Sequence, residues 1–299
     1  MSSRLPKRIA ILVACHDDGA TLPETIESLS GETGTELVVI DDGSTDPVTL
    51  EVLDAIERSG VHVLRQENAG PASAWMTGVH ATSAPYLLPF SSDDILVPGA
   101  TALLADALDA SPVAAAAWGD MQSFGSAEAY IPSAPELCPW HVTYVNARPG
   151  IAAFRREALV EVGGWQLRRG IEDWDLWMRL AARGFSGVHV PHVIFYYRRD
   201  AEGRFRSRVR VFEGFYEQLR ERNAELFARR PATKLESPAP AVLKMLLPLV
   251  DRLPFVSRLV KVQLSEALTL LFWSAGARRT TRILLQGILF RARLLRHRS

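Results

Sequence analysis

Short apolar runs alternate with helix-length segments between residues 8 and 90, and this alternation constrains the fold more than any other feature of the chain. The runs are rich in Val, Ile and Leu, which is typical of strands that are buried on both faces. Strands that alternate with helices at this spacing form crossover units and a mostly parallel sheet, so the sequence predicts an α/β fold. Strands are expected at residues 8–14, 36–40, 61–65 and 86–90, with helices between them at residues 21–29, 48–58 and 71–80.

The chain is less regular after residue 97. Residues 123–145 contain prolines and aromatic residues without a clear period, so we expect a loop-rich insertion that either covers a pocket or runs over the surface. Near the start of the chain, Thr21 and Glu24 have the spacing of a capping box at the first helix. The remaining elements are expected as helices at residues 98–110, 156–162 and 173–183, and as strands at residues 113–119, 149–155, 188–190 and 193–197.

The composition is that of a globular protein, with 47% hydrophobic and 23% charged residues. Two cysteines give no disulfide framework, no apolar signal segment precedes the first strand, and no apolar run reaches the roughly 20 residues that span a bilayer. A cytoplasmic location is therefore expected. The formal net charge of zero conceals a division, because residues 201–299 carry 20 Lys and Arg against eight Asp and Glu. We therefore expect two regions with different partners.

Three pairs of acidic residues stand at the ends of strands or at the start of a helix. They are Asp41 and Asp42, Asp93 and Asp94, and Glu172 and Asp173. Each pair alone could cap a helix. Parallel strands present their carboxyl ends at one edge of a sheet, and acids gathered there repel one another unless a cation or a donor-rich ligand lies among them. The sequence therefore favours a ligand site at that edge.

Six segments of the chain follow one another in a characteristic order and spacing. They are VACHDDGATLPETIESL, ELVVIDDGSTD, ENAGPASAWMTGV, YLLPFSSDD, FRREALVEVGGW and IEDWDLWMRLAARGF. Together they resemble the family 2 inverting glycosyltransferases of the GT-A fold, over residues 8–199. The resemblance implies a GT-A catalytic domain with a Rossmann-like, mostly parallel sheet at residues 1–200, followed by a basic, mostly helical region at residues 201–299. It also implies transfer of a sugar from a nucleotide-diphosphate sugar to an acceptor hydroxyl with inversion.

The same resemblance implies roles for individual residues. Asp42 would accept a hydrogen bond from a uracil or thymine imide, which favours a UDP- or dTDP-sugar as the donor. Asp93 and Asp94 would hold Mg²⁺ or Mn²⁺, and Asp173, with Glu172 beside it, would deprotonate the acceptor. The nucleotide would be bound by Ala14, His16, Asp42, Asn68, Gly70 and Asp93.

One position departs from the family pattern, because the chain has Ser91 where an acid is usual. One metal or ribose contact is therefore missing, and the metal depends on Asp93 and Asp94 together with diphosphate oxygens. An inactive nucleotide-sugar-binding protein of the same fold is the alternative function. A nucleotidyltransferase is disfavoured, because the first predicted strand is followed by acidic HDDG rather than by a glycine-rich basic loop.

The aromatic residues of the last predicted helix have two interpretations. Trp174 and Trp177 could pack in the core or face a sugar ring, and Trp177 is expected in the core. The basic run at residues 198–210 is expected to be a solvated face, with contact to the diphosphate as the alternative.

The carboxyl-terminal region is predicted as an amphipathic helix at residues 212–230, a linker at residues 231–240, and basic apolar segments beyond. Such segments fit an interfacial membrane helix, which would make the chain a peripheral enzyme at the inner face of the cytoplasmic membrane. It would act there on a saccharide or lipid-linked acceptor in cell-surface polysaccharide or glycolipid synthesis. A helical subdomain that packs on the catalytic domain or forms a homodimer is the alternative, and nucleic-acid binding is disfavoured. The apolar residues expected at the membrane are Leu246, Leu247, Leu270, Leu271, Phe272, Trp273, Leu284, Leu285 and Phe290.

Overall fold

The computed structural model describes residues 7–167, 170–199 and 204–274, with the backbone alone at residues 204–211. Three of the residues expected at a membrane, Leu284, Leu285 and Phe290, lie outside the described residues. The side chains of the arginines at 204, 206, 208 and 210 also lie outside them.

Nine strands of the described residues form one sheet. They are β1 (Ile9–Cys15), β2 (Thr35–Asp42), β3 (His62–Gln66), β4 (Tyr86–Ser91), β5 (Ile95–Leu96), β6 (Ala114–Gly125), β7 (Ala129–Ile131), β8 (Ala153–Arg155) and β9 (Ser186–Arg199). The strand order is β3-β2-β1-β4-β8-β6-β9-β5, with β7 paired to β6. The first four strands in this order are parallel, as are β6 and β9, whereas the short strands β5, β7 and β8 pair in the antiparallel direction. The predicted mostly parallel α/β sheet is therefore confirmed.

Helices follow most of the strands, and a group of helices completes the described chain. They are α1 (Leu22–Ser30), α2 (Pro47–Arg58), α3 (Pro71–Ala81), α4 (Ala100–Ala110), α5 (Arg156–Glu161), α6 (Glu172–Ala182), α7 (Arg204–Arg222), α8 (Ala224–Ala228), α9 (Arg230–Glu236), α10 (Ala241–Asp251) and α11 (Arg258–Trp273), with a short 3-10 helix at His141–Thr143. The helices predicted before residue 183 are all present, with ends shifted by at most two residues.

The sheet is buried on both faces, which explains why its first strands appear in the sequence as continuous apolar runs. In β1, Ile9, Ile11 and Val13 pack into one core cluster, whereas Ala10 and Leu12 pack into the other. Alternate side chains of β1 therefore face opposite sides of the sheet, and all five positions from residue 9 to residue 13 are buried and apolar.

The predicted capping box at the first helix is wrong. Thr21 has helical backbone angles and makes no side-chain capping bond. Its hydroxyl instead donates to the carbonyl oxygens of Asp18, at 3.2 Å, and Ser92, at 3.1 Å. Glu24 binds Arg198. These side chains therefore join α1 to the ends of β4 and β9 rather than closing the first turn of the helix.

The two strands predicted at residues 188–190 and 193–197 form one strand, β9. Its pairing with β6 is irregular between the pairs Trp118–His189 and Asp120–Val193, a stretch that contains Pro191. Proline has no N–H to donate to the ladder and is tolerated where a bulge interrupts the pairing. The proline therefore marks a bulge, not a strand end.

The interpretation of residues 123–145 as a surface excursion, one of the two left open, is wrong, and so is the predicted linker. Trp140, Tyr144 and Val145 of the irregular stretch are buried against Leu243 and Leu247 of α10. Residues 231–240, expected as a linker, contain most of α9, which begins at Arg230 with proline in its first turn. The described carboxyl-terminal helices therefore pack on the stretch that precedes β8, as the alternative interpretation of the tail proposed.

Arginine 230 forms the polar part of this contact. Its Nε and Nη2 atoms donate to the hydroxyl and carbonyl oxygens of Thr143, at 2.8 and 2.6 Å, and its Nη1 atom contacts Asp251 at 2.9 Å. The guanidinium carbon also lies 4.1 Å from the ring centroid of Tyr144. One side chain thus joins α9, α10 and the 3-10 helix.

Candidate functional site

The ends of β1, β2 and β4 lie side by side at one edge of the sheet. Cys15 at the end of β1 pairs with Asp41 of β2, and Ala14 pairs with Ser91 at the end of β4. The first two acid pairs of the sequence therefore meet at this edge, as the parallel topology predicts. Ala14 is half-buried between them, and His16 follows β1 on the exposed side.

Asp42 shapes the loop that precedes α3. Its carboxylate is 3% exposed and accepts hydrogen bonds from Gln66 Nε2 and from the backbone N–H groups of Ala69 and Gly70, each at 2.8 Å. Gly70 has φ 91°, a conformation that glycine adopts without strain, and α3 begins immediately after it. The carboxylate thus fixes the backbone of residues 68–70 beside the strand ends.

His16 and Asn68 meet above this loop. The Asn68 side-chain nitrogen lies 2.9 Å from His16 Nε2, and both residues are exposed. Five of the residues predicted to bind a nucleotide, Ala14, His16, Asp42, Asn68 and Gly70, are therefore neighbours at the edge of the sheet.

The sequence analysis missed Asp17. This residue has φ 54°, and its Oδ1 atom accepts backbone N–H groups of Asp46, at 2.8 Å, and Thr45, at 2.7 Å. These hydrogen bonds hold the pKa of the Asp17 carboxyl below its usual range. Asp41, in turn, accepts from Ser44 N–H at 2.9 Å, so this acid shapes a turn and does not cap a helix.

Asp93 and Asp94 are not helix caps either. Strand β5 follows them, and α4 begins only at Ala100, after Gly99 in the left-handed conformation. Asp94 is 2% exposed and accepts the backbone N–H of Arg198 through Oδ1, at 2.9 Å. Asp93 is half-buried and is therefore the more accessible carboxylate at the end of β4.

Arg198 is tied to this acid pair, contrary to the expected solvated basic face. Its Nε atom donates to the carbonyl oxygen of Asp93 at 2.8 Å, its terminal nitrogen binds Glu24, and its side chain is 19% exposed. The guanidinium carbon lies 4.4 Å from the ring centroid of Phe124. The contact links the end of β9 to the end of β4, and only the position of Arg198 just past the last predicted strand, residues 193–197, could have indicated it.

The third acid pair opens α6. Asp173 Oδ1 accepts the N–H of Trp174 at 2.7 Å, and Oδ2 accepts the Asn146 side-chain amide at 2.9 Å. A Cβ atom built on Gly150 would lie 3.6 Å from the same Oδ2. Strand β8 pairs with β4 in the antiparallel direction, through Tyr86–Arg155 and Leu87–Phe154, so the chain enters β8 from the side of the sheet on which β4 ends. The segment that contacts Asp173, which has Glu172 beside it, leads into β8 from that side.

Both tryptophans of α6 pack in the core. Trp177 is fully buried, as predicted, and Trp174 is 3% exposed, so neither presents a face to a sugar. Their indole N–H groups donate to backbone carbonyls of the preceding loop, Trp174 to Val142 at 2.7 Å and Trp177 to Pro149 at 3.2 Å. The indoles therefore hold the loop against the helix that carries Asp173.

Buried groups around the site limit its chemistry. Burial lowers the pKa of Arg148 to about 10, while the thiol of Cys138 and the nearby Asp173 act in the opposite direction. Burial raises the pKa of the Cys15 thiol to about 12, so this cysteine offers no thiolate nucleophile. The charged groups near the site are therefore carboxylates and the buried guanidinium of Arg148, and Cys15 remains a thiol.

A divalent metal fits this arrangement only in the presence of a ligand. Among residues 7–167, 170–199 and 204–274, no group of three or more His, Cys, Asp or Glu side chains forms a metal site. Asp93 is accessible and Asp94 lies next to it, and Mg²⁺ in enzymes is commonly held by one or two carboxylates, water and substrate phosphates. The donor set therefore suits an ion that arrives with a diphosphate.

Comparison with known proteins gives a family and a fold. The profile of glycosyl transferase family 2 matches residues 10–167, which is more than half of the chain. A search of curated protein sequences found no match.

Several solved structures are similar. S. aureus TarS has a TM-score of 0.56 at 16% identity, over 85% of this chain and 44% of the TarS chain, so this chain spans less than half of that chain. TarS 1–349 in complex with UDP-GlcNAc has a TM-score of 0.56 at 16% identity, over 91% of this chain and 88% of that one. The mannosyltransferase PcManGT from Pyrobaculum calidifontis, in complex with GDP-Man and Mn²⁺, has a TM-score of 0.53 at 16% identity, over 98% and 88%. These similarities establish the GT-A fold predicted from the sequence.

Proposed function

Because the chain belongs to glycosyl transferase family 2 and is therefore a glycosyltransferase, we propose that it transfers a sugar from a nucleotide-diphosphate sugar to an acceptor hydroxyl with inversion. One observation supports the proposal: Asn146, which donates to Asp173, belongs to the segment that enters β8 from the side of the sheet where β4 ends beside Asp93. The proposed base for the acceptor and the proposed carboxylates for the donor are thus associated with the same side of the sheet.

We call the ends of β1, β2 and β4, together with residues 68–70, the donor side. On this side we propose that Ala14, His16, Asn68 and Gly70 border the nucleotide. We propose that Asp42 both holds the backbone of residues 69 and 70 and binds the base of the nucleotide. Its Oδ2 atom accepts one hydrogen bond within the described part of the chain, from Gly70 N–H, so a lone pair remains for an imide N–H of the base. A UDP- or dTDP-sugar is therefore favoured. The UDP-GlcNAc complex of TarS supports this choice. Because PcManGT binds GDP-Man, GDP-sugars also have to be tested as donors.

We propose Mg²⁺ or Mn²⁺ as the cofactor, with Asp93 and Asp94 as its protein ligands. Bound there, the ion would neutralise charge on the departing diphosphate. Asp93 would also contact the ribose. Ser91 contributes a hydroxyl in place of a further acid, so the protein supplies fewer ligands and the diphosphate oxygens supply more. The Mn²⁺ bound to PcManGT supports a divalent ion.

We call residues 133–150, together with the first turn of α6, the base side. Asp173 takes the proton of the acceptor hydroxyl, and Glu172 lies beside it. A single in-line attack inverts the sugar carbon and needs one base but no covalent nucleophile. The absence of a thiolate at Cys15 agrees with this route.

The test is incubation of the protein with UDP-, dTDP- and GDP-sugars and Mn²⁺, with transfer, hydrolysis and anomeric configuration followed by NMR. The proposal expects release of a nucleoside diphosphate and a product of inverted configuration. Binding of a nucleotide sugar without turnover of any donor would instead support the inactive binding protein that Ser91 suggested.

We further propose that residues 201–299 bring the catalytic domain, residues 1–200, to a lipid-linked or saccharide acceptor at a membrane surface, in polysaccharide or glycolipid synthesis. No helix in the described part of the chain is long and apolar enough to cross a bilayer. Leu247 and Trp273 do not belong to a membrane face, because Leu247 is fully buried and Trp273 packs edge-on against His141 at 4.8 Å.

The turn between α10 and α11 gives this proposal its support. Phe255 is completely exposed and has φ 59°, and Met245 and Leu249 of α10 are also exposed. Arg252 beside the turn is exposed and basic. An apolar tip with basic neighbours suits an anionic membrane surface. The alternative is that the same apolar residues form a homodimer interface. The protein would then have twice the mass of one protomer in solution.

A further inference from the structure

The short segment at residues 146–150 contacts Asp173 through Asn146, a contact that was not predicted from the sequence. We propose that Asn146 is a positioning residue for Asp173, which holds the carboxylate in the orientation that the transfer requires. The inference rests on the proposed function, because it assigns to Asn146 a part in the reaction that Asp173 performs.

The hydrogen bond itself is the first argument. Asn146 Nδ2 donates to Asp173 Oδ2 at 2.9 Å, while Asp173 Oδ1 accepts the backbone N–H of Trp174 at 2.7 Å. A donor on each oxygen fixes the plane of the carboxylate. Gly150 has no side chain, and a Cβ atom there would lie 3.6 Å from the same Oδ2, so the glycine leaves space beside this oxygen. Reactive groups lose much of their rate advantage when their orientation is loosened.

The side-chain carbonyl group of Asn146 also supports the proposal. Its carbonyl oxygen is buried and has no hydrogen-bond partner among the described residues. A buried acceptor without a partner is destabilising, so an asparagine here is a poor choice for stability alone. The amide N–H that it directs at Asp173 explains why it is present.

The third argument is that the segment and α6 behave as one unit. Trp177 donates to the carbonyl oxygen of Pro149, and Ala134 N–H donates to the carbonyl oxygen of Ala147 at 2.7 Å. The buried guanidinium of Arg148 lies 5.8 Å from the ring centroid of Trp177 and donates to the carbonyl oxygen of Glu136. A segment held at these points can transmit a fixed orientation to the side chain of Asn146.

Two substitutions of Asn146 distinguish positioning from space filling. Asn146→Asp keeps the shape but replaces the N–H donor by an acid, whereas Asn146→Ala leaves a gap. With an acid at 146, the two carboxylates either repel each other or share a proton. A shared proton would occupy the Asp173 oxygen that has to accept the proton of the acceptor hydroxyl. Positioning therefore predicts that Asn146→Asp loses more kcat than Asn146→Ala, about 100-fold against about 10-fold. The KM for the donor should be unchanged in both.

A matched control is available on the opposite side of the same helix. Asn223 Nδ2 donates to Asp175 Oδ1 at 3.0 Å, so Asn223→Ala removes a similar Asn–Asp hydrogen bond from α6 without touching Asp173. Asn223→Ala should lower Tm and leave kcat near the wild-type value. The inference is overturned if wild-type protein transfers sugar but Asn146→Asp keeps wild-type kcat, or if Asn223→Ala loses as much kcat as Asn146→Ala. If wild-type protein transfers no sugar from any donor of the panel, the proposed function fails instead.

Discussion

The donor side and the base side of the site are held in place by different parts of the chain. On the donor side, the register of parallel strands brings the acids together, and Asp42 accepts its hydrogen bonds from Gln66, Ala69 and Gly70. On the base side, Asp173 is oriented by an irregular stretch that packs in turn against α9, α10 and α11. If the two sides have their proposed roles, donor binding and transfer depend on separate structural supports, so a change in one support should leave the other function largely intact.

Within the described residues, α9 and α11 contact the base side through the 3-10 helix. Arg230 binds Thr143, and Thr269 lies 2.8 Å from His141 Nε2. Burial, reinforced by the charge of Arg148, lowers the pKa of His141 well below its usual range, so this ring is neutral. We therefore expect α9–α11 to affect catalysis through the loop that holds Asp173.

The largest effect is expected for Asp173→Asn, which removes the base from the base side alone. Transfer should fall by about 10²–10⁴-fold, because a general base contributes that factor. Nucleotide affinity should stay within about twofold of the wild type, since the base acts on the acceptor. Steady-state kinetics with calorimetric titration of the nucleotide test this, and wild-type turnover in the variant would remove Asp173 from its assigned role.

Asp94→Asn probes the donor side. The amide keeps an oxygen that can accept the N–H of Arg198, so the substitution removes the charge and leaves the contact. Donor affinity in Mn²⁺ should fall by about 10-fold or more, and turnover should fall with it. Affinity measured in EDTA should be nearly the same for both proteins. Equal loss with and without Mn²⁺ would mean that Asp94 supports the fold and does not hold a metal.

A smaller, pH-dependent effect is expected at the support of the base side. Burial alone would raise the pKa of Asp251, but Arg230 and Arg258 outweigh it and lower that pKa. A lowered folded-state pKa means that the pairing stabilises the protein above the unfolded value of about 3.9 and that this stability is lost as pH falls through the folded value.

The free energy of unfolding should therefore be lower in Asp251→Asn than in wild type by a constant amount near neutral pH. The difference should shrink once the pH falls below about 4. Urea denaturation of the two proteins across this range measures it, and a difference that persists at acid pH would assign the effect to packing rather than to charge.

The smallest effect on the enzyme itself is expected for Phe255→Asn. Phe255 is fully exposed, and asparagine tolerates its positive φ, so Tm should be unchanged or slightly higher. Association with anionic vesicles should weaken several-fold if the turn enters a membrane surface. The matched control is Val113→Asn, at an 82% exposed position before β6. Equal vesicle binding by both variants and wild type would argue for packing or a homodimer.

The donor side was predictable from the sequence because its information is local. Apolar runs set the strands, and the parallel topology then places Asp42 and Asp93 at the same edge without further knowledge. The roles of Asp42 and Asp94 within the fold were not predictable, since they depend on which N–H groups the loops direct at them. Asp42 binds Ala69 N–H, and Asp94 binds the backbone of Arg198, 104 residues away.

The base side was predictable only in part. The acids at the start of α6 and the burial of Trp177 followed from helical spacing. The role of Asn146 and the packing of Trp140 did not, because residues 133–148 have no period. Trp140 is buried by α10, about 100 residues further along the chain, and Asn146 contacts Asp173, which is 27 residues away. The linker prediction at residues 231–240 was wrong for another reason: Pro231 lies in the first turn of α9, a position where a helix tolerates proline.

The most direct test of two separate supports is to measure donor affinity and kcat on one protein, Arg230→Ala. This substitution removes the contacts with Thr143 and Asp251 and touches no residue of the donor side. The control is Arg220→Ala, an exposed arginine of α7 that pairs with Glu217. We predict that Arg230→Ala lowers kcat by about 10-fold with donor affinity within twofold, and that Arg220→Ala changes neither. Equal losses of donor affinity and kcat in Arg230→Ala, or wild-type values of both, would contradict the account.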